Sequence, residues 1–257
     1  QRLLDKPPPE PPLGPPVYPS DDFDEVMQTD ALLGGFVTAT PDRASLLRGA
    51  QDFRPILRAN CAALLGLLGR DEDTRRVVAA LVRDADVSVR CAASTALGPL
   101  GAPAALLVAL ADADQGVRGA AVGALGALPP ETIASLAVSA SNAPEALQSV
   151  VHDALAHRGK QAIAGLKEAL VHAPTIPSRV FAAVALGGLT ASHAAAVEAI
   201  SLGLSDESGE VQSASVLGLI PAGASASAAA RTAVREAFED TTHDAVLRAC
   251  SRALDAF

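Results

Sequence analysis

The chain has 257 residues, enough for one or two ordinary domains or for a single elongated array. Hydrophobic residues make up 49% of it, yet aromatics only 3% with no Trp, so the apolar content is mostly Ala, Leu and Val. That composition suits closely approaching helices better than a β-sandwich or a deep ligand pocket. Acidic residues outnumber basic ones, 29 to 20, for a formal charge of −9. Without a basic footprint or stacking aromatics, nucleic acid is not an expected partner.

The first twenty residues hold eight prolines. Pro7, Pro8, Pro9, Pro11, Pro12, Pro15 and Pro16, with Tyr18 and Pro19 close behind, predict an extended polyproline II arm, because proline fixes φ and removes the amide donor. Such an arm serves as a stiff tether or as a docking segment. From Asp21 to Asp30 an acidic stretch carries Phe23, Val26 and Met27 at helical spacing, which predicts a short capping helix before Gly34 and Gly35. The expected boundary divides an arm, 1–40, from a repeat body, 41–257. A chain beginning with Gln and a proline arm is expected to be processed and exported (periplasmic) or organelle-targeted rather than cytoplasmic.

The body repeats itself. Seven segments share one template, starting at Leu57, Val89, Val117, Leu147, Ser178, Val211 and Val246. The starts are 28–35 residues apart, room for two helices and two short turns. Within each segment, apolar or small residues stand at positions 1, 4, 5, 8 and 9, the one-face spacing of a helix. In the second segment these are Val89, Ala92, Ala93, Ala96 and Leu97. The trailing Gly98, Gly126 and Gly187 predict left-handed helix ends, with Pro99 reinforcing the stop. A second helix is predicted before the templates, most clearly over 74–82, 104–111, 161–171, 194–204 and 228–238. Asp-rich turns such as Asp84-Ala85-Asp86 and Asp112-Ala113-Asp114 supply N-caps.

Cys61, Cys91 and Cys250 each fall inside a helical pattern, so they predict small buried or half-buried side chains rather than a disulfide framework. Residues 91–111 carry no charge, but Gly98, Pro99, Gly101 and Pro103 interrupt them and the repeat register accounts for the stretch. No transmembrane segment is expected, and membrane association only through a partner.

The run Asp84 to Arg90, followed by Ala92-Ala93 and Ala96-Leu97-Gly98, resembles the HEAT repeats, in particular the short bacterial class also found in phycobilisome lyases. Asp112 through Gly126 shows the same pattern, and the resemblance runs from about residue 42 to the end. It implies an all-α superhelix of about seven helical hairpins. It also implies that Arg58, Arg90, Arg118 and Arg179 form a structural ladder with turn carboxylates of neighbouring repeats. The fourth and fifth repeats depart from the pattern at Gln148 and Ser178, and Pro144, Pro174 and Pro177 crowd their turns, so a bend is expected there.

For chemistry, the resemblance raises HEAT-like enzymes such as metal-dependent hydroxylases and chromophore lyases. The chain has no His-Glu dipeptide of the hydroxylase kind, only His152-Asp153 and His243-Asp244. No cofactor, metal or catalytic residue is expected. The predicted function is a non-catalytic scaffold or structural subunit that binds protein. The binding surface is read from template positions 3, 6, 7 and 10, which turn away from the buried stripe. Across six repeats only Asp153 is charged among these twenty-four positions. Cys91, Thr95, Gly119, Gly123, His152, Asp153, Val180, Val184, Ser213 and Leu217 are the expected groove residues. In the last repeat Arg248, Arg252 and Asp255 take the same positions, the polar cap that a terminal repeat needs.

Overall fold

A computed structural model describes residues 42–69, 71–225 and 228–257. The proline arm, the acidic segment and the boundary expected at residue 40 lie outside the described residues. Among these, fourteen α-helices form seven successive pairs and no strand occurs. The pairs are α1 (Arg43–Gly49) with α2 (Pro55–Leu68), α3 (Glu72–Leu81) with α4 (Val87–Leu100), and α5 (Pro103–Leu110) with α6 (Gln115–Gly126). Then come α7 (Ile133–Ala140) with α8 (Glu145–Arg158), α9 (Lys160–His172) with α10 (Ile176–Gly187), α11 (Ala194–Ser201) with α12 (Gly209–Leu219), and α13 (Ala228–Asp240) with α14 (Asp244–Ala256). Even-numbered helices are the seven templates. Short 3-10 turns at Pro130–Thr132, Leu202–Ser205 and Ile220–Ser225 complete the connections.

Templates stack on templates and first helices on first helices, giving a two-layer superhelix with one continuous core. Position 5 is buried in every template, from Cys61 through Ala93, Ala121, Val151, Ala182 and Ser215 to Cys250. Position 9 supplies the bulk, with Leu65, Leu97, Leu125, Leu155, Leu186 and Leu219 buried. Each such leucine contributes about 1.5–3 kcal/mol by leaving water. Cys91 is half-buried, and burial raises the Cys250 thiol above its ordinary pKa.

Two local expectations are corrected. The trailing glycines are not left-handed ends, since positive φ occurs only at Gly101, Gly159 and Gly223 among the described residues. Gly66, Gly98 and Gly187 lie inside their helices, buried where one template crosses the next. A Cβ on Gly66 would stand 2.8 Å from the Cα of Ala96, and one on Gly187 2.8 Å from the Cα of Gly218. Backbone approach is what selects glycine there. Likewise Pro99 does not end α4, which runs on to Leu100 and closes on Gly101 at φ 69°. Proline is tolerated so near the end of the helix because it removes only one hydrogen bond.

Asp42, Asp71, Asp86 and Asp114 cap α1, α3, α4 and α6, each accepting a backbone amide two or three residues on. The first aspartate of each Asp-x-Asp turn does something else. Asp84 accepts from Arg58 Nε and Nη2 of the preceding repeat at 2.8 and 2.7 Å. Asp112 takes Arg90 at 2.8 and 3.2 Å, and Asp206 takes Arg179 at 2.8 and 3.1 Å. The third donor group, Nη1, reaches back to carbonyls of its own turn, Asp52 and Phe53 for Arg58, Asp84 and Ala85 for Arg90. The arginine donated to them holds the Asp84 and Asp112 carboxyls below the ordinary carboxylate range.

Arg118 departs from the implied ladder. Its Nη1 makes the same two turn contacts, to the carbonyls of Asp112 and Ala113 at 2.7 and 2.8 Å. The residue in register with Asp84 and Asp112 in the next turn is Asn142, and among the described residues Arg118 forms no ion pair. The fourth repeat has also lost its capping carboxylate, with Pro144 at the N-cap of α8, and its arginine, replaced by Gln148. Packing follows the same line. The templates α2, α4 and α6 stack closely, as do α10, α12 and α14, whereas α8 touches α10 only lightly and α10 leans on α7 and α9 instead. Only Val151 and Leu155 are fully buried on α8.

Candidate functional site

The sequence rule for the outward face holds at position 7, where Thr95, Gly123, Asp153, Val184 and Leu217 are all exposed. At position 3, Gly119 is exposed, while Cys91, Val180 and Ser213 are half-buried. His152, at position 6, is half-buried as well. Its neighbours in the register, Ala62, Ser94, Ala183 and Val216, are buried between templates, and Gly66, Gly98 and Gly187 at position 10 are buried too. Most of positions 6 and 10 therefore belong to the stacking seam, with Val122, Gly126 and Ala156 exposed in the third and fourth repeats.

The structure gathers the second half of the expected residues into one place. Two neighbouring depressions of about 480 and 500 Å³ lie along α8, α10, α12 and the start of α14, and they share Val184 and Glu210. The first contains His152 and Val180, the second Ser213 and Leu217. Cys91, Thr95, Gly119, Gly123 and Asp153 line neither. A Cβ added at Gly119 or Gly123 would meet nothing within 4 Å, so the template face of the third repeat is open and shallow.

His152 anchors the deeper depression. Its ring stacks on Phe181 with centroids 4.1 Å apart and planes inclined by 26°. Its Nε2 is buried with no hydrogen-bond partner, and burial lowers its pKa below the ordinary histidine value. Arg158, at the end of the same helix, caps α6 through Nη1 to the carbonyls of Leu125 and Gly126 at 3.1 and 2.7 Å. Gln148 occupies the arginine position and donates to the carbonyls of Ser141 and Ala143 at 3.3 and 2.9 Å.

Several lining residues were missed from sequence, among them Phe181, Glu145, Gln148 and Glu210. Phe181 stands at position 4, assigned to the core, and is 3% exposed, yet its ring edges the depression beside His152. Glu145, Gln148 and Glu210 lie in or just before the first turn of their templates, ahead of the positions read as outward. The acidic residue at the start of α8 and of α12 was the available signal. His152-Asp153 and His243-Asp244 lie on different helices, and among the described residues no three His, Cys, Asp or Glu side chains converge as metal ligands would.

Residues 43–126 match the sequence profile of a family described as HEAT repeats. These first three helical pairs are HEAT repeats. The later pairs continue the same superhelix with the substitutions noted above. No curated protein matches the chain. Solved HEAT and armadillo structures share its fold class. One is the complex of CpcE and CpcF of phycocyanin lyase from Nostoc sp. PCC7120, at 21% identity over 84% of this chain and 95% of that one, with a TM-score of 0.38. Another is an archaeal HEAT-like repeats protein from Thermococcus onnurineus NA1, at 14% identity over 85% and 98% of the two chains, TM-score 0.33. A designed armadillo repeat protein aligns at 16% identity over 84% and 99%, TM-score 0.31.

Among the described residues no single helix of the solenoid is long and apolar enough to cross a membrane. The pair Gln115–Gly126 and Pro130–Ala140 reaches that length and composition only when joined across a 110° bend. The uncharged stretch 91–111 is divided between α4 and α5 by Gly101.

Proposed function

We propose that this HEAT solenoid is a non-catalytic protein-interaction scaffold, a subunit of a larger assembly, which binds through the template face and through the proline arm. The observation that carries the reading is the exposed apolar floor of the two joined depressions. Val184 is 47% exposed and Leu217 40%, on the neighbouring templates α10 and α12. Contiguous exposed apolar surface of this kind is costly in water unless a partner covers it. A repeat stack supplies such a surface without closing an active-site cavity.

The test is affinity capture with the full chain, with Gly119→Asp and Val180→Asp, and with residues 1–40 removed. Stoichiometric capture by the full chain, reduced by the groove substitutions at unchanged helicity and thermal stability, is expected. Undiminished capture by both substituted chains would remove the groove from the account. Failure of the full and the shortened chain to recover any stoichiometric protein would remove the scaffold.

A further inference from the structure

The two depressions form one trough, and its charge is one-sided. Glu145 and Glu210 stand on its edge, neither engaged in an ion pair among the described residues, and no Lys or Arg lines either half. Arg179, the cation nearest in sequence to the floor residues, is turned into the ladder, where Asp206 holds it. The floor is apolar, built from Phe181, Val180, Val184 and Leu217. Carboxylates beside an uncovered apolar floor complement a cationic, partly apolar ligand.

Spacing narrows the conformation of that ligand. Stacked helix axes lie about 8–10 Å apart. A polyproline II segment advances roughly 9 Å per three-residue turn, which puts one side chain of every three over each successive template. A β-strand presents same-face side chains every ~6.7 Å, and an α-helix every ~5.4 Å, so neither keeps step with the templates. From α10 to α14 there are two such steps, about 16–20 Å or five to six residues of extended chain, and the looser α8–α10 step adds at least one three-residue turn more.

We infer that the trough from α8 to α14 binds an extended basic segment of a partner protein, about nine residues long, with an apolar side chain at every third position and Lys or Arg between to meet Glu210 and Glu145. The inference rests on the scaffold reading and names the chemistry of its partner.

It is tested by fluorescence anisotropy of the full chain with three labelled peptides, (Leu-Pro-Lys)3, (Leu-Pro-Glu)3 and (Ser-Pro-Lys)3. The basic apolar peptide binds at least about tenfold more tightly than either control, a difference of ~1.4 kcal/mol. Glu145→Gln with Glu210→Gln weakens it roughly fivefold or more and flattens its salt dependence, while Leu217→Asp weakens it at unchanged helicity. Equal or tighter binding of the acidic peptide, or no change in the double glutamine variant, overturns the inference. So does a synthetic copy of residues 1–20 that displaces the probe with equal affinity, which assigns the trough to the chain's own arm. If the glutamine variant is without effect while Val180→Asp still abolishes capture of a protein partner, the groove stands and only the basic segment fails.

Discussion

At position 2 of the template a single arginine does three jobs. It ties its own turn through two carbonyls, grips the next repeat's aspartate with a two-pronged fork, and leaves its aliphatic stem over the core edge. Arg118 retains the first of these and lacks the second, because Asn142 replaces the acceptor. Asn142→Asp therefore completes a fourth rung. It raises Tm by about 1–3 °C in a thermal melt at pH 7, an increment reversed by Arg118→Gln in the same chain. An unchanged or lowered Tm would show that the fork does not face the 142 position. The ladder itself was legible from sequence only through the family resemblance, and the open rung was not. Its signal is in the sequence nonetheless: of the turns in register with Asp84 and Asp112, the fourth reads Asn142-Ala143-Pro144.

Helices and their pairing were legible because a 3.6-residue apolar stripe, Asp caps and short turns agree at every level. Predicted first helices match α3, α5, α9 and α13 to within a few residues, and α11 ends three residues earlier than its predicted span, which continues as a 3-10 turn. What sequence could not resolve was the orientation of residues at the edge of the stripe. Positions 6 and 10 sit beside the buried positions, and whether they face water or the next template depends on the angle at which the stack closes. Glycine shows the difference. At Gly187 a methyl group would collide with Gly218, so Gly187→Ala destabilises by about 1–3 kcal/mol despite alanine's better helix propensity. At Gly119, where the added carbon meets nothing, the same change stabilises by about 0.5–1 kcal/mol. Urea titration of both variants measures the pair. Equal effects would mean that the template crossing is looser than the structure places it.

Across the whole molecule, two well-stacked halves meet at one poorly tied repeat. The first half keeps two arginine rungs, from Arg58 and Arg90, and the second keeps one, from Arg179, while Gln148 stands at that position in α8. The prolines at 144, 174 and 177 mark this place in the sequence, where a bend was expected; what the structure shows there is light contact between the templates α8 and α10. The same repeat borders the depression that the stacked rings of His152 and Phe181 line. Hydrogen exchange of the full chain, free and bound to its captured partner, tests binding through the template face most directly. The account predicts slowed exchange on binding concentrated in α8, α10 and α12, with α3, α5, α9 and α11 unchanged. Protection confined to that opposite layer, or spread evenly along the stack, would contradict it.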